Sequence, residues 1–509
     1  MHQRWLLGLL ILISAQALAQ DAKPLSLTEA LKTAVERNLD IELQRVTIES
    51  QRISLDLTRA KYEPTVTADS SIASQDNRVE NTNQGQVGAN FNRETKRLNS
   101  AYSKTHDFGL TYRVDFNNSV RKSGAANEAL FGTTYTSSIN FSIEQQLLRG
   151  FGFDESVYRK DQFVAKGNYQ SSLEDLKIQV ETVLLNTEDA YWNLVASIEE
   201  LKVAQQSLDL AKQLYEQNKV KIEVGTLAPI ELVNTEATVA SRENDIVTKE
   251  NSVRAAEDAL KKVMNLPVEQ WRHSLKPSDE LKIIETTPNL EADYQKALDA
   301  RPESIKNRIA MDNAKAELKF QKNQLLPELK LTGGYGSSAN SSNDVEFPED
   351  APPQIIGTGS FTDALSDTAA FDLPGWSVGL ELSWTPFNRQ AKLNQTQAEV
   401  TLRQRELETE QSQIVILEEV RAAIRDLETN QKSIKANEKT LKFREENLKA
   451  EEQKFQNGLS TNYRVSEVQE ELAQARNSLI QSRVNYKKAV TKYHKALGQL
   501  NQMHNISVQ

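Results

Sequence analysis

Cysteine is missing altogether from the 509 residues, which excludes disulfides, thiolate metal sites, a thiol nucleophile and the acylated cysteine of a lipoprotein. Nothing staples this fold covalently. No segment holds the roughly 20 consecutive apolar residues that a helix needs to span a bilayer. If the mature protein enters a membrane it must do so as β-strands, whose signal per segment is weaker. An excess of positive charge is also lacking: 61 Lys and Arg stand against 71 Asp and Glu, a formal net charge of −10. With both signs interspersed, nucleic acid is not an expected partner.

Chemistry-bearing constellations are absent too. His2, His106, His273, His494 and His504 are scattered, with no pair at ligand spacing. There is no phosphate loop or nucleotide fingerprint, and serines such as Ser156 and Ser377 lack a nucleophile-elbow context. Mixed-sign runs such as Arg444-Glu445-Glu446 read as solvated helix faces. No catalytic residue, metal ligand or cofactor site is nominated, and the chain is not expected to be an enzyme. Proline and glycine are scarce, 13 and 19, and crowd into a few places. The stretches between them are far longer than the usual helix of about 11 residues.

The amino-terminal segment is informative. Arg4 precedes an apolar run from Trp5 to Ile13, and Ala17-Leu18-Ala19 supplies a small-x-small cleavage site. Residues 1–19 are expected to be a cleaved signal peptide, and loss of Arg4 takes the formal charge from −10 to −11.

The mature sequence then repeats itself. Leu173, Val180, Thr187, Leu194, Leu201, Leu208, Tyr215 and Ile222 stand seven apart, as do Val420, Leu427, Ile434, Leu441, Leu448 and Phe455 at an offset of 233 residues. The same offset superposes Gly225 on Gly458, Ala240 on Ala473 and Asn244 on Asn477, which carries the correspondence across a turn into a second helix. A sustained seven-residue period marks helices supercoiled along a narrow seam. Intermediate positions become polar toward Phe455 (Gln431, Glu438, Glu445, Glu452), so both flanks of that seam can meet water. The long helix from 389 to 457 would extend roughly 100 Å at about 1.5 Å per residue.

Each long helix is preceded by a shorter one ending in proline, Leu27 to Glu63 before Pro64 and Leu290 to Leu326 before Pro327. After each proline the apolar period changes from about 3.6 to 2, the mark of a strand. Strands are expected near 64–74, 133–146, 328–337 and 375–386. The last of these shows Trp376, Val378, Leu380, Leu382 and Trp384 on one face and Ser377, Gly379, Glu381, Ser383 and Thr385 on the other. With Tyr335, Trp376 and Trp384 as aromatic girdle residues, this reads as a transmembrane barrel rather than a soluble sandwich. An insertion, 75–132, contains a further alternation at Phe108, Leu110, Tyr112, Val114 and Phe116. Because each repeat must begin and end on the helical side, crossings must be even in number. The insertion is therefore expected to be an extracellular hairpin, with Val87 to Phe91 as partner strand.

Four strands per chain are too few to close a barrel, which needs at least about eight, so the barrel must be shared. Two chains would give eight strands and three would give twelve. The expected fold is an α+β membrane protein built from two repeats, 20–267 and 290–500, joined by a linker, 268–289, and followed by a tail, 501–509. Long antiparallel coiled-coil helices would form a periplasmic α-barrel beneath a transmembrane β-barrel with about four strands per protomer. A periplasmic coiled-coil adaptor or scaffold, and a surface adhesin, are the alternatives.

The chain resembles the TolC-like family of outer-membrane efflux and secretion proteins over nearly all of its mature length. The likeness rests on Leu25-Ser26-Leu27-Thr28-Glu29-Ala30-Leu31, on Gln145-Gln146-Leu147-Leu148-Arg149-Gly150-Phe151-Gly152, and on the turns Val224-Gly225-Thr226-Leu227 and Asn457-Gly458-Leu459-Ser460. It implies a homotrimer in outer-membrane lipid, a twelve-stranded barrel, a periplasmic adaptor (membrane fusion) protein and an energised inner-membrane transporter, as in tripartite efflux or type I secretion. It further implies that Val224, Gly225, Thr226, Leu227, Asn457, Gly458, Leu459 and Ser460 are the tips on which the adaptor docks. Glu231, Arg464 and Glu467 would be a periplasmic gate. Ser460 stands where some relatives have arginine, and Arg464 where an acidic ring would face the lumen, so weaker cation preference is expected.

Overall fold

The computed structural model describes residues 23–80, 82, 86–151 and 155–506. The expected signal peptide, Gly152 of the handover motif and the last three residues of the tail lie outside them. Strand β1 (Lys23–Leu25) leads into helices α1 (Leu27–Arg37) and α2 (Leu39–Ala60), then strands β2 (Thr65–Arg78), β3 (Asn90–Thr105), β4 (Leu110–Ser123) and β5 (Thr133–Gln146). Helices α3 (Lys160–Glu223) and α4 (Ile230–Val263) follow, then β6 (Leu275–Pro277), α5 (Leu290–Ala300), α6 (Pro302–Asn323) and β7 (Glu328–Ser341). The chain continues through β8 (Asp344–Glu346), β9 (Gln354–Gly357), α7 (Phe361–Ala370) and β10 (Pro374–Ser383) to α8 (Arg389–Gln456) and α9 (Asn462–Ala496).

Corresponding elements have matching lengths. Helices α1 and α5 have 11 residues each, α2 and α6 have 22, α3 and α8 have 64 and 68, and α4 and α9 have 34 and 35. Their starts are set by the same chemistry. Ser26 Oγ accepts from Glu29 N at 3.2 Å and Asn289 Oδ1 from Ala292 N at 3.2 Å, while Asn38 Oδ1 accepts from Asp40 N at 2.9 Å. Each cap satisfies a backbone donor that the first helical turn leaves free.

The chain divides into two compact units, and all four division points fall inside α2, α3, α6 and α8. One unit contains residues 170–308 and 407–509 with the amino-terminal part. Its core gathers Leu31, Ile41, Leu184, Tyr191, Leu194, Leu260 and Leu500, all nearly inaccessible. Each such leucine contributes roughly 1.5–3 kcal/mol on burial. The expected linker is ordered here: β6 pairs in parallel with β1, Lys23 opposite Leu275. Tyr191 Oη donates to Asp279 Oδ2 at 2.6 Å and Tyr493 Oη to Asp293 Oδ2 at 2.6 Å. These buried tyrosines tie 268–289 and α5 to the long helices.

The other unit, residues 51–169 and 309–406, contains an antiparallel six-stranded sheet in the order β10-β7-β5-β4-β3-β2. Six strands stand where the alternation of the sequence led us to expect four. The insertion is not a separate hairpin. Strand β3 pairs with β2 from Thr65↔Ser103 to Arg78↔Asn90, and β4 pairs with β5 from Leu110↔Gln145 to Lys122↔Thr133. The partner of the 110–123 strand within the insertion is thus Asn90–Thr105, longer than the Val87–Phe91 segment expected. Strand β3 hides in the sequence because Lys96 and Glu94 interrupt the face on which Leu98 and Tyr102 lie. Hydrogen bonds on both sides, not its own alternation, make it a strand.

Candidate functional site: the helix-turn tips and the two faces of the sheet

The two glycine turns close helices α3 and α8 in the same way. Gly225 has φ +76° and Gly458 φ +75°. Gly225 N donates to Ile222 O at 2.9 Å and Thr226 N to Lys221 O at 2.9 Å; Gly458 N donates to Phe455 O at 3.2 Å and Leu459 N to Lys454 O at 2.8 Å. This pair of bonds is the Schellman motif, which needs a left-handed residue that glycine adopts without penalty. A Cβ on either glycine would meet nothing within 4 Å, so the requirement for glycine is conformational. Helix α9 is capped by Thr461, whose hydroxyl accepts from Arg464 N at 3.4 Å, and α4 starts directly after Pro229.

Apolar side chains stand exposed around these turns: Val224, Ile230 and Val233 near the first, Leu459 and Tyr463 near the second. Ser460 behaves differently, donating its hydroxyl to Glu451, which also receives Lys454 Nζ at 3.1 Å. The Ser460 hydroxyl and the Lys454 ammonium hold the Glu451 carboxyl below the ordinary glutamate value.

Of the expected gate residues, the structure joins Arg464 to Glu467, Nη1 to Oε2 at 2.5 Å. Glu231 receives Asn462 Nδ2 at 3.4 Å instead. Asn462 Oδ1 accepts from Asn218 Nδ2 at 2.6 Å, and both asparagines are buried. Lys221 Nζ donates to Phe455 O at 2.9 Å and lies 3.6 Å from the centroid of the Phe455 ring, an arrangement of cation–π type. Burial lowers the Lys221 pKa below the ordinary lysine value. Phe455 itself packs with Leu214 and Val465. Asn218, Lys221, Phe455 and Asn462 were not among the expected site residues. Asn218 was detectable: it lies seven residues after Ala211 and four after Leu214, a polar residue in a buried apolar seam.

In the sheet, register sorts the side chains into two faces. One face carries Val66, Tyr102, Val114, Phe141, Tyr335 and Trp376 in one continuous row across all six strands. Val378, Leu380 and Leu382 share it and are exposed. The opposite face carries Thr67, Ala101, Asp115, Asn140, Gly336 and Gly375 in the next row. Tyr335 is opposite Trp376 and stacks on Phe371, with centroids 5.5 Å apart. Trp384 follows the last strand residue, Ser383. On β5 and β7 the serines that break the apolar face near one end are covered: α7 packs against both strands, with Thr368 Oγ1 donating to Ser137 O at 3.0 Å, and Ser137 and Ser337 are buried. On β3 and β4, Lys96 and Lys122 of that face are exposed. Among the described residues no group of three or more His, Asp or Glu side chains is placed to hold a metal ion. No described helix is long and apolar enough to cross a membrane.

A sheet apolar on one face and polar on the other, carried with long seam-forming helices that end in glycine turns, defines the class of outer-membrane channels. The family model for outer membrane efflux proteins matches residues 113–266 and 294–499; the chain belongs to this TolC-like family and is an outer-membrane protein. It is 25% identical over 183 residues to the pyoverdine export outer membrane protein OpmQ of Pseudomonas aeruginosa, covering 35% of this chain and 38% of that protein. It is 23% identical over 202 residues to the outer membrane protein TolC of Vibrio cholerae, covering 39% and 45% respectively. These alignments span less than half of either relative. Among solved structures, the CmeC outer membrane channel of Campylobacter jejuni superposes with TM-score 0.62 at 14% identity, over 93% of this chain and 86% of that one. The MtrE outer membrane channel of Neisseria gonorrhoeae gives 0.61 at 16%, over 93% and 88%. These two establish the fold, and family membership disfavours the adaptor and adhesin alternatives.

Proposed function

We propose that the protein is a passive homotrimeric exit duct, the outer-membrane channel of a tripartite efflux or type I secretion system. The observation that carries this reading is the open sheet. Among the described residues its edge strands, β2 and β10, have no second neighbour, yet one face is largely apolar and exposed. In lipid every backbone polar group must be paired, so only closure with other copies makes the sheet viable.

The helices support self-association as well. Leu39, Leu43, Val46, Ile53 and Leu57 form an exposed stripe on α2, and Leu393, Val400, Leu407 and Ile414 form another at strict seven-residue spacing on α8. Narrow apolar stripes of this kind pack side to side with helices of a neighbouring copy. The two repeats supply equivalent elements, which gives a trimer six similar positions around its axis.

In this reading Val224, Gly225, Thr226, Leu227, Asn457, Gly458, Leu459 and Ser460 receive the hairpins of a periplasmic adaptor, through the exposed Val224 and Leu459. Glu231, Arg464 and Glu467 lie at the periplasmic gate. Tyr335, Trp376 and Trp384 form the aromatic girdle. Energy comes from the inner-membrane transporter. The test is fractionation of the native protein: extraction only by detergent, as an oligomer that dissociates on heating, is expected. Full release by osmotic shock as a monomer would overturn the reading.

A further inference from the structure

Strands β3 and β4 run the full height of the sheet, and their turn lies at its helix end. Gly109 O accepts from Gln146 N at 3.4 Å, and Asp107 Oδ2 accepts from Arg159 Nε at 2.5 Å, just before α3 begins. With 16 and 14 residues, both strands exceed the roughly 9–11 that a tilted strand needs to cross a bilayer. The apolar face continues on β4, whereas on β3 it is reduced to Leu98 and Tyr102, set among Glu94, Lys96, Ser100 and Lys104. Tyr112, Val114 and Phe116 sit opposite Ile143, Phe141 and Ile139 on one side and Lys104, Tyr102 and Ser100 on the other. At the turn, His106 stacks on Phe108 (5.3 Å) and packs near Tyr112 (5.8 Å), an aromatic group at the level where strands meet helices.

The opposite, polar face of this hairpin differs in charge from the rest of the sheet. It carries Arg93, Arg97, Arg113 and Arg121 against Asp115 alone, whereas the same face of β2, β5, β7 and β10 carries Asp69, Glu144, Glu328 and Glu381 against Lys330 alone. Arg113 is bound by Asp115 (2.7 Å) and Arg93 by Glu128 (2.9 Å). Arg97 and Arg121 are exposed. They sit two residues apart in register, on the same face, Arg97 opposite Ser119 and Arg121 opposite Thr95, toward the end of the sheet away from the helices. The strand neighbours on that face at that level are Ser71 and Ala73 on β2 and Thr134 and Thr136 on β5, none of them acidic.

Resting on the trimeric duct described above, we propose that β3 and β4 are wall strands, so that three protomers close an eighteen-stranded barrel. Arg97 and Arg121 then form a cationic belt at its outer end that favours anionic solutes. Barrel diameter grows roughly linearly with strand number, and barrels of 16–18 strands enclose an aqueous channel. A belt of one sign inside low-dielectric walls raises the local concentration of the opposite charge by about tenfold or more.

The absence of cysteine allows single-thiol tests on the full chain in cells and in the purified oligomer. Ala89→Cys, in the β2–β3 turn, and Phe108→Cys, in the β3–β4 turn, are treated with a large, membrane-impermeant polyethylene glycol maleimide in intact cells. Labelling at position 89 alone, with position 108 labelled only after the outer membrane is permeabilised, is expected. Equal labelling of both in intact cells would make the hairpin extracellular and overturn the proposal. For the belt, Ser119→Cys should react about tenfold faster with a sulfonated methanethiosulfonate than with a trimethylammonium one, and Arg97→Glu/Arg121→Glu should invert that preference. A ratio unmoved by the reversal overturns the belt. Both tests are read on protein first shown to be a heat-dissociable outer-membrane oligomer. Failure at that earlier step sinks the duct reading, whereas failure at the thiols sinks only this inference.

Discussion

Asn218 donates its side-chain amide to Asn462 at 2.6 Å, joining helix α3 to the start of α9 across 244 residues of sequence. Asn462 passes the connection to Glu231 at 3.4 Å, so three helices share one polar chain beside the glycine turns. Asn218→Leu removes the donor and leaves a buried carbonyl oxygen unpaired, at a cost of roughly 1–3 kcal/mol. Asn218→Leu/Asn462→Leu removes both partners and should recover much of that loss. Hydrogen exchange over residues 214–222 and 460–466 would show faster opening in the single variant than in the double one.

The glycine turns are conformational requirements with open space around them. Gly225→Ala and Gly458→Ala should each cost roughly 1–2 kcal/mol locally through the left-handed backbone alone, and asparagine should be tolerated better than alanine. Valine at either site should abolish adaptor cross-linking and export while oligomers remain in the membrane. Unchanged cross-linking and export in the valine variants would separate the turns from docking.

The face assignment of the sheet makes an asymmetric prediction for neighbouring residues. Val378 lies on the exposed apolar face and Ser377 on the polar one. In the proposed barrel, Val378→Arg near the bilayer midplane should cost about 2–4 kcal/mol, seen as a lower heat-dissociation temperature of the proposed oligomer. Ser377→Arg should leave that temperature nearly unchanged.

Glu181 is buried, and burial, reinforced by Glu303, raises its pKa to about 7. The folded chain therefore holds a proton there that the unfolded chain has released, and the residue costs stability increasingly as pH rises from about 4.5 to about 7. Glu181→Gln should stabilise the protein by on the order of 2–3 kcal/mol near pH 8 and by almost nothing near pH 4. Equal gains at both values, in denaturation of the detergent-solubilised protein, would contradict this environment.

Arg464 is paired with Glu467 on the exposed side of α9. In the proposed trimer, with this pair at the gate, Glu467→Gln should uncover three positive charges and lower cation preference in planar bilayers, whereas Arg464→Asp should raise it. Selectivity unmoved by either change would mean that the pair lies between helices, away from the conduction path.

The sequence alone carried the two long helices, whereas the shorter ones, expected as Leu27 to Glu63 and Leu290 to Leu326, are each broken in two by an extended residue, Asn38 and Arg301. The seven-residue series through Leu173 and Val420, the prolines at 64 and 327 and the glycines at 225 and 458 predict α3, α8, the strand starts and both turns to within a few residues. Strands β5, β7 and β10 followed from alternation. Strand β3 did not, because Lys96 and Glu94 share its apolar face. The tip network was also hidden, apart from the polar break that Asn218 makes in its seam.

What the sequence determined by itself is local: period, turn chemistry and amphipathic face, each fixed by residues within a few positions of one another. What only the tertiary structure decided is which distant segments meet: the pairing of β3 with β2 and β4, the alignment of six strands into two chemically distinct faces, and the contact of Asn218 with Asn462. The physical reason is that a backbone donor or a buried amide must find a partner, but its own neighbours in sequence do not say which one.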